Sequence, residues 1–383
     1  MKYVLNLEFS VKVPLVEQPG LFDNILTFFG IGAGPNDTQE YLNRLFLISC
    51  AVGDVKMVEK VLERGAKIDS SNEEGENALT YAAGNNASTE VIDFLVSNGV
   101  KIYDYPHSLL NYVNFTDAHC CEIAEKIINY GVIITLDDAL RYIEDAATDD
   151  QDNFECLRLF IKNGVNIEEL LFAVVQHGRD LSIVKKLIDW GADTHAVDKQ
   201  GRNLLHTFCS RSQPIAQAEY FFSLGLDVNA VDKMGRSALY HTLEALSLYY
   251  CNRWARYPRN IARRFQMNST KLVEMLIERG ADVDLADCDG VSPVHLLYEY
   301  EEVELLQLLV KHGADINWKN KKGRSLAHRF CDFPQKPNEK FIKAALELGL
   351  ETEVVDNEGK TPLDCCRSDE SRKQMIEIFS SHK

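Results

Sequence analysis

Two hydrophobic rhythms run along this chain, one short and one long. Over residues 2–15, apolar side chains occupy the odd positions Tyr3, Leu5, Leu7, Phe9, Val11, Val13 and Leu15. The even positions are mostly polar: Lys2, Asn6, Glu8, Ser10 and Lys12. Side chains alternate faces along a strand, so this period of two predicts a half-buried β-strand. It would be paired across a bend or left as an edge for another chain. Leu21, Phe22, Ile25, Leu26, Phe28 and Phe29 follow at helical spacing and predict a short helix over about 21–30. Residues 1–41 are therefore expected to form a small N-terminal cap, since a stacked array needs its ends covered.

From residue 42 onward the pattern turns helical and recurs. Apolar triplets at 3.6-residue spacing appear as Val58, Val61, Leu62; Val91, Phe94, Leu95; Ile183, Val184, Leu187; Leu272, Met275, Leu276; and Leu305, Leu306, Leu309. Each predicts a helix with one buried face, and each is followed by a glycine suited to stop it. These glycines and their counterparts are Gly65, Gly99, Gly131, Gly164, Gly191, Gly225, Gly280, Gly313 and Gly349, spaced by 34, 32, 33, 27, 34, 55, 33 and 36 residues. Most intervals sit near 33, and the outlier of 55 is one period plus an insertion of 22, placed at about 247–268.

A second phrase follows the later glycines after about ten residues: Gly201-Arg202-Asn203-Leu204-Leu205-His206, Gly235-Arg236-Ser237-Ala238-Leu239-Tyr240, Gly290-Val291-Ser292-Pro293-Val294-His295, Gly323-Arg324-Ser325-Leu326-Ala327-His328 and Gly359-Lys360-Thr361-Pro362-Leu363-Asp364. Glycine permits a tight turn, Ser or Thr caps a helix, and proline suits a first turn. The phrase resembles the Gly-x-Thr-Pro-Leu-His opening of the ankyrin repeat. That resemblance implies an all-α ankyrin-repeat solenoid of about nine to ten helix-turn-helix units over residues 42–383, with the histidines bonding neighbouring units. Repeats begin near residues 42, 75, 197, 231, 286, 319 and 355. Between 104 and 196 the phrase has decayed to Pro106-His107-Ser108-Leu109-Leu110 and Asp138-Ala139-Leu140, and spacing alone carries the pattern. The last unit, ending Met375-Ile376-Glu377-Ile378-Phe379, is short and polar-tailed, as a capping repeat should be.

Composition fits a folded protein, with 45% hydrophobic and 26% charged residues. The net charge of −17 is uneven: residues 1–190 hold 15 Lys and Arg against 30 Asp and Glu, and the remainder 26 against 28. An acidic first half repels nucleic acid and anionic membrane. Ten cysteines, with Cys120–Cys121 and Cys365–Cys366 adjacent, suit neither disulfides nor chelation, so free thiols in a reducing, cytoplasmic setting are expected. Neither a secretory signal nor a membrane span is expected: Asn6, Glu8 and Lys12 interrupt the apolar run at the start, and Leu21–Gly34 is too short.

The insertion is the most unusual local composition. Tyr249, Tyr250, Arg253, Trp254, Arg256, Tyr257, Arg259, Arg263 and Arg264 stand in a stretch with five arginines and no acidic residue. Interleaved Arg and aromatic rings are the mix of binding hot spots, and fit an acidic peptide, a phosphorylated partner or a phosphate head group, phosphoinositide included. The competing structural reading is an elongated helix and loop whose arginines pair with Glu299, Glu301, Glu302 and Glu304. Arg202, Arg236 and Arg324 share one repeat position beside Lys199, Lys233, Lys321 and Lys322, and stacked repeats would align them as a basic edge. In ankyrin proteins such turns and first helices form the concave face that holds partners.

Catalytic and metal readings are weak. His206 with Cys209 and His328 with Cys331 occupy signature and small-core positions. The acidic cluster Asp137, Asp138, Glu144, Asp145, Asp149, Asp150 and Asp152 lacks calcium-loop spacing. Gly30-Ile31-Gly32-Ala33-Gly34 lacks the Lys-Ser/Thr ending of a phosphate loop. Asn229 and Asn317 resemble hydroxylation sites of ankyrin repeats. No catalytic residue, cofactor or metal is expected. The favoured function is a non-catalytic protein-binding scaffold, and the alternative is an enzyme with a different domain disguised in 104–196. Divergent repeats and the tail Ser368-Asp369-Glu370-Ser371 also resemble ankyrin effectors of intracellular bacteria, which would make the partner a host protein.

Overall fold

The computed structural model describes residues 38–85, 88–102, 108–115, 119–146, 154–178, 181–211, 215–251, 259–297, 303–332 and 338–381. The chain divides into two compact units, residues 1–164 and 165–383. The strand pattern at 2–15 and the helix expected at 21–30 lie outside the described residues. Among the described residues the β pairing consists of one isolated bridge, Ser71 to Asn77.

Helices come in pairs throughout. In the first unit they are 39–52 with 55–63, 78–84 with 89–97, a 3-10 turn at 109–112 with 120–129, and 136–146 with 155–162. In the second unit they are 167–176 with 181–189, 204–209 with 218–223, 238–251 with 259–278, 293–296 with 303–311, 326–332 with 339–347, and 362–365 with 369–380. Among the described residues there are ten such pairs, matching the nine to ten units that the ankyrin resemblance implies. The first pair starts at Gln39, slightly ahead of the expected boundary, because Thr38 accepts the Tyr41 N–H and caps the helix there.

The decayed middle is built the same way. Thr135 and Asp138 bond reciprocally at the start of helix 136–146, and Asn166 accepts the Glu169 N–H at 2.8 Å to open helix 167–176. Any Ser, Thr, Asn or Asp can cap, so the cap survives while the phrase is lost. The described residues of 104–196 thus continue the helix pairs.

Each long helix buries one stripe. On helix 303–311, Leu305, Leu306 and Leu309 are fully buried while Glu304 and Gln307 face out. The helix stops at Gly313, whose φ of 97° lets the Ala314 N–H return to the Leu309 carbonyl at 3.0 Å. Leu306→Ala removes a fully buried side chain and should cost roughly 3 kcal/mol, read as a lower urea midpoint, whereas Gln307→Ala should change it by less than about 0.5 kcal/mol.

The insertion lengthens its helix pair to 14 and 20 residues, against six for the first helix and six for the second in the preceding pair. The segment expected as an insertion is therefore absorbed largely into helix, and residues 252–258 lie outside the described residues.

One expectation is corrected. The cysteines are not all free: Cys121 and Cys156 form a disulfide with their Cα atoms 5.1 Å apart. Stacked repeats bring together residues one period apart, and these two are separated by 35 positions. Cys50, Cys209, Cys288, Cys331, Cys365 and Cys366 are free thiols, and Cys120 stands outside any disulfide.

Candidate protein-interaction surface

In the second unit, each of the later repeats projects a turn built by one device. Asp198 accepts the N–H groups of Gln200 and Arg202 at 2.8 and 2.9 Å. Asp232 does the same for Met234 and Arg236, Asp287 for Asp289 and Val291, Asn320 for Lys322 and Arg324, and Asp356 for Glu358 and Lys360. A short acidic or amide side chain bonding its own backbone fixes a turn. Consecutive turns then join: the Lys233 N–H donates to the Gln200 carbonyl, Cys288 to Met234, Lys321 to Asp289, and Asn357 to Lys322, all at 2.7–3.0 Å.

The three arginines expected to form a basic edge are held inside this framework. Arg202 pairs with Asp198 at 2.7 Å, Arg236 with Asp232 at 3.0 Å and Glu244 at 3.2 Å, and Arg324 with Asp356 at 3.2 Å and Asp332 at 3.5 Å. Burial pushes the Asp232 carboxyl up, but the N–H groups of Arg236 and Met234, the Arg236 charge and His241 outweigh it and hold it below the usual carboxylate range. The guanidinium groups brace the turns, with their side chains 20%, 24% and 29% exposed.

Histidines tie one repeat to the next. The His206 Nε2 lies 2.9 Å from the Ala230 carbonyl and 3.1 Å from that of Arg236, His295 Nε2 3.2 Å from Arg324, and His328 Nε2 3.1 Å from Lys360. Their Nδ1 atoms accept the N–H groups of Asn203, Ser292 and Ser325. Carbonyls on one side and N–H donors on the other fix the neutral Nε2–H tautomer. Burial lowers the pKa of all three, to about 4 for His295. Burial pushes the thiols of Cys209 and Cys331 up, that of Cys209 to about 12, and both cysteines are buried with His206 and His328.

Asn229 and Asn317 also bridge repeats. Asn229 donates to the Gly280 carbonyl and accepts the Asp282 N–H; Asn317 donates to Gly349 and accepts from Glu351. Both amide ends are used, which gives these residues a structural task.

Exposed side chains remain where the turns meet solvent. Val197 is 60% exposed, Val231 and Met234 46%, and Val355 49%. Val197, Val231 and Val355 each precede the turn-forming Asp, a position shared between repeats. Around them stand the exposed side chains of Lys199, Lys233, Lys321 and Lys322. Of the insertion residues, Tyr249 and Tyr250 fall on helix 238–251 and Arg259, Arg263 and Arg264 on helix 259–278, while Arg253, Trp254, Arg256 and Tyr257 lie outside the described residues.

The geometry defines a class: helix pairs joined by turns that hydrogen-bond one period along. Residues 289–321 match the family model of the ankyrin repeat, and they span the turn, His295 and the helix 303–311 described above. The chain thus carries an ankyrin repeat at residues 289–321. Among solved structures it is similar to the ankyrin repeat domain of Bcl-3, a member of the IkappaB protein family, at 21% identity and a TM-score of 0.42, over 63% of this chain and 95% of that one. No curated protein matches. Among the described residues, no helix is long and apolar enough to cross a membrane.

Proposed function

We propose that the chain is a non-catalytic scaffold that binds a partner protein through the turn surface of residues 197–358. The observation that carries this is the row Val197, Val231, Met234 and Val355, left exposed while the Asp, Arg and His side chains around it are consumed in fixing the backbone. A rigid backbone presenting apolar side chains spends little entropy on binding. Lys199, Lys233, Lys321 and Lys322 rim the row, so the partner segment is acidic or phosphorylated. Tyr249, Tyr250, Arg253, Trp254, Arg256, Tyr257, Arg259, Arg263 and Arg264 extend the same preference. Arg202, Arg236 and Arg324 act by holding the turns in shape. The partner would be a cytoplasmic protein, and a host protein if an intracellular bacterium delivers the chain.

Photocrosslinking tests the reading. A photoreactive residue at Met234 should capture a discrete partner, and Lys199→Glu/Lys233→Glu/Lys321→Glu should reduce capture by about tenfold or more, as should raised salt. Arg253→Glu/Arg256→Glu should reduce it independently. Capture unaffected by both sets of charge reversals, or reproducible turnover by the 1–196 fragment, would overturn it.

A further inference from the structure

We propose that Cys120, Cys121 and Cys156 form a binding site for a thiophilic divalent cation of the zinc class in the reduced protein. The three sulfurs lie within 4.8 Å of one another. Cys120 Sγ stands 3.7 Å from Cys156 Sγ and 4.0 Å from Cys121 Sγ. A tetrahedral zinc ion with Zn–S bonds of about 2.3 Å sets S···S edges of about 3.8 Å, so two of the three edges already have the required length. The third pair is joined as a disulfide; once cleaved, it is free to open to the same separation.

Placement favours the thiolates that a metal needs. Cys120 and Cys121 open helix 120–129, and Cys156 is the second residue of helix 155–162, which packs against it. Two helix N-termini thus converge on the sulfurs, and their dipoles stabilise negative charge there. Cys120 and Cys156 are buried, while Cys121 is half-buried and marks the side from which an ion enters. Three protein donors leave a fourth position for water or one outside ligand.

Loading is proton exchange: three S–H bonds break, three S–metal bonds form, and three protons pass to solvent. The Cys121–Cys156 disulfide excludes the ion because it occupies two donors. A phosphine reductant frees them, supplying two electrons and becoming the phosphine oxide with oxygen from water, while each sulfur gains a proton. Metal and disulfide are therefore alternative occupants of one site.

The experiment uses the full chain, reduced with a phosphine, desalted without oxygen and titrated with Co2+. Thiolate-to-metal charge-transfer absorption should saturate at one equivalent and be displaced by Zn2+. Cys156→Ser, and separately Cys121→Ser at the half-buried position, should weaken binding by roughly 100-fold or more. The charge-transfer band should persist in Cys288→Ser and Cys331→Ser, and oxidation to the Cys121–Cys156 disulfide should abolish it. Circular dichroism of each variant establishes that it is folded. Absence of the band in the reduced, folded chain, its survival in both the Cys121 and Cys156 variants, or its loss in Cys331→Ser would overturn the assignment.

Discussion

Acidification from pH 7 to pH 5 is expected to weaken the 165–383 unit by about 3 to 4 kcal/mol, seen as a fall in the urea midpoint. The effect comes from His241 and His295. Burial pushes both from an ordinary 6.5 to about 4, with Arg236 and His206 adding to the drop at His241 and Arg329 at His295. Between pH 6.5 and 4 the unfolded chain binds protons at these positions and the folded chain does not, so stability falls as pH falls. The stabilisation is complete above about 6.5. Both rings serve as neutral donors, His241 to Asp232 at 3.0 Å and His295 to the Arg324 carbonyl at 3.2 Å. His295→Gln should lower stability at pH 7 and flatten the pH dependence by about half. Urea melts at pH 7, 6 and 5 check it, and equal midpoints at all three would refute the assignment. Asp232 and Asp356, held below the ordinary 3.8, act in a separate window at lower pH.

The second large effect is at the turn glycines. Gly290 and Gly359 share a left-handed backbone, with φ of 76° and 78°. A Cβ on Gly290 would meet the Lys321 backbone nitrogen at 2.9 Å, whereas one on Gly359 would meet nothing within 4 Å. Gly359→Ala should cost about 1 kcal/mol, the strain of a left-handed alanine. Gly290→Ala adds a clash with the next turn's backbone and disturbs the Lys321 N–H bond to Asp289, so about 3 kcal/mol is expected. Thermal melts of the two variants, compared with wild type, measure the difference. Equal losses would mean that the turns are not packed as described.

How much of this was readable beforehand follows from what each feature depends on. The glycine intervals and the capped first turns gave the helix pairs, because both depend on local backbone chemistry that a single sequence displays. The middle repeats were harder, since caps such as Thr135 and Asn166 act without the familiar phrase around them. Arg202, Arg236 and Arg324 share one repeat position in the sequence, but their ion pairs depend on acids four residues back or a repeat away. The exposure of Val197 and Val231 could not be read from residue type, because valine is more often core. The Cys121–Cys156 contact was legible in principle: the interval of 35 is one repeat, and stacking turns sequence period into spatial adjacency.

The central claim is that each repeat is held by bonds reaching one period along the chain. Amide hydrogen exchange at Lys233, Cys288, Lys321 and Asn357 tests it most directly, because these N–H groups lie in exposed turns yet donate to the preceding turn's carbonyls. Exchange at these four positions should be slowed by orders of magnitude relative to an unfolded chain, and should speed up at Lys321 in Gly290→Ala. Free exchange at all four in the folded protein would contradict the account.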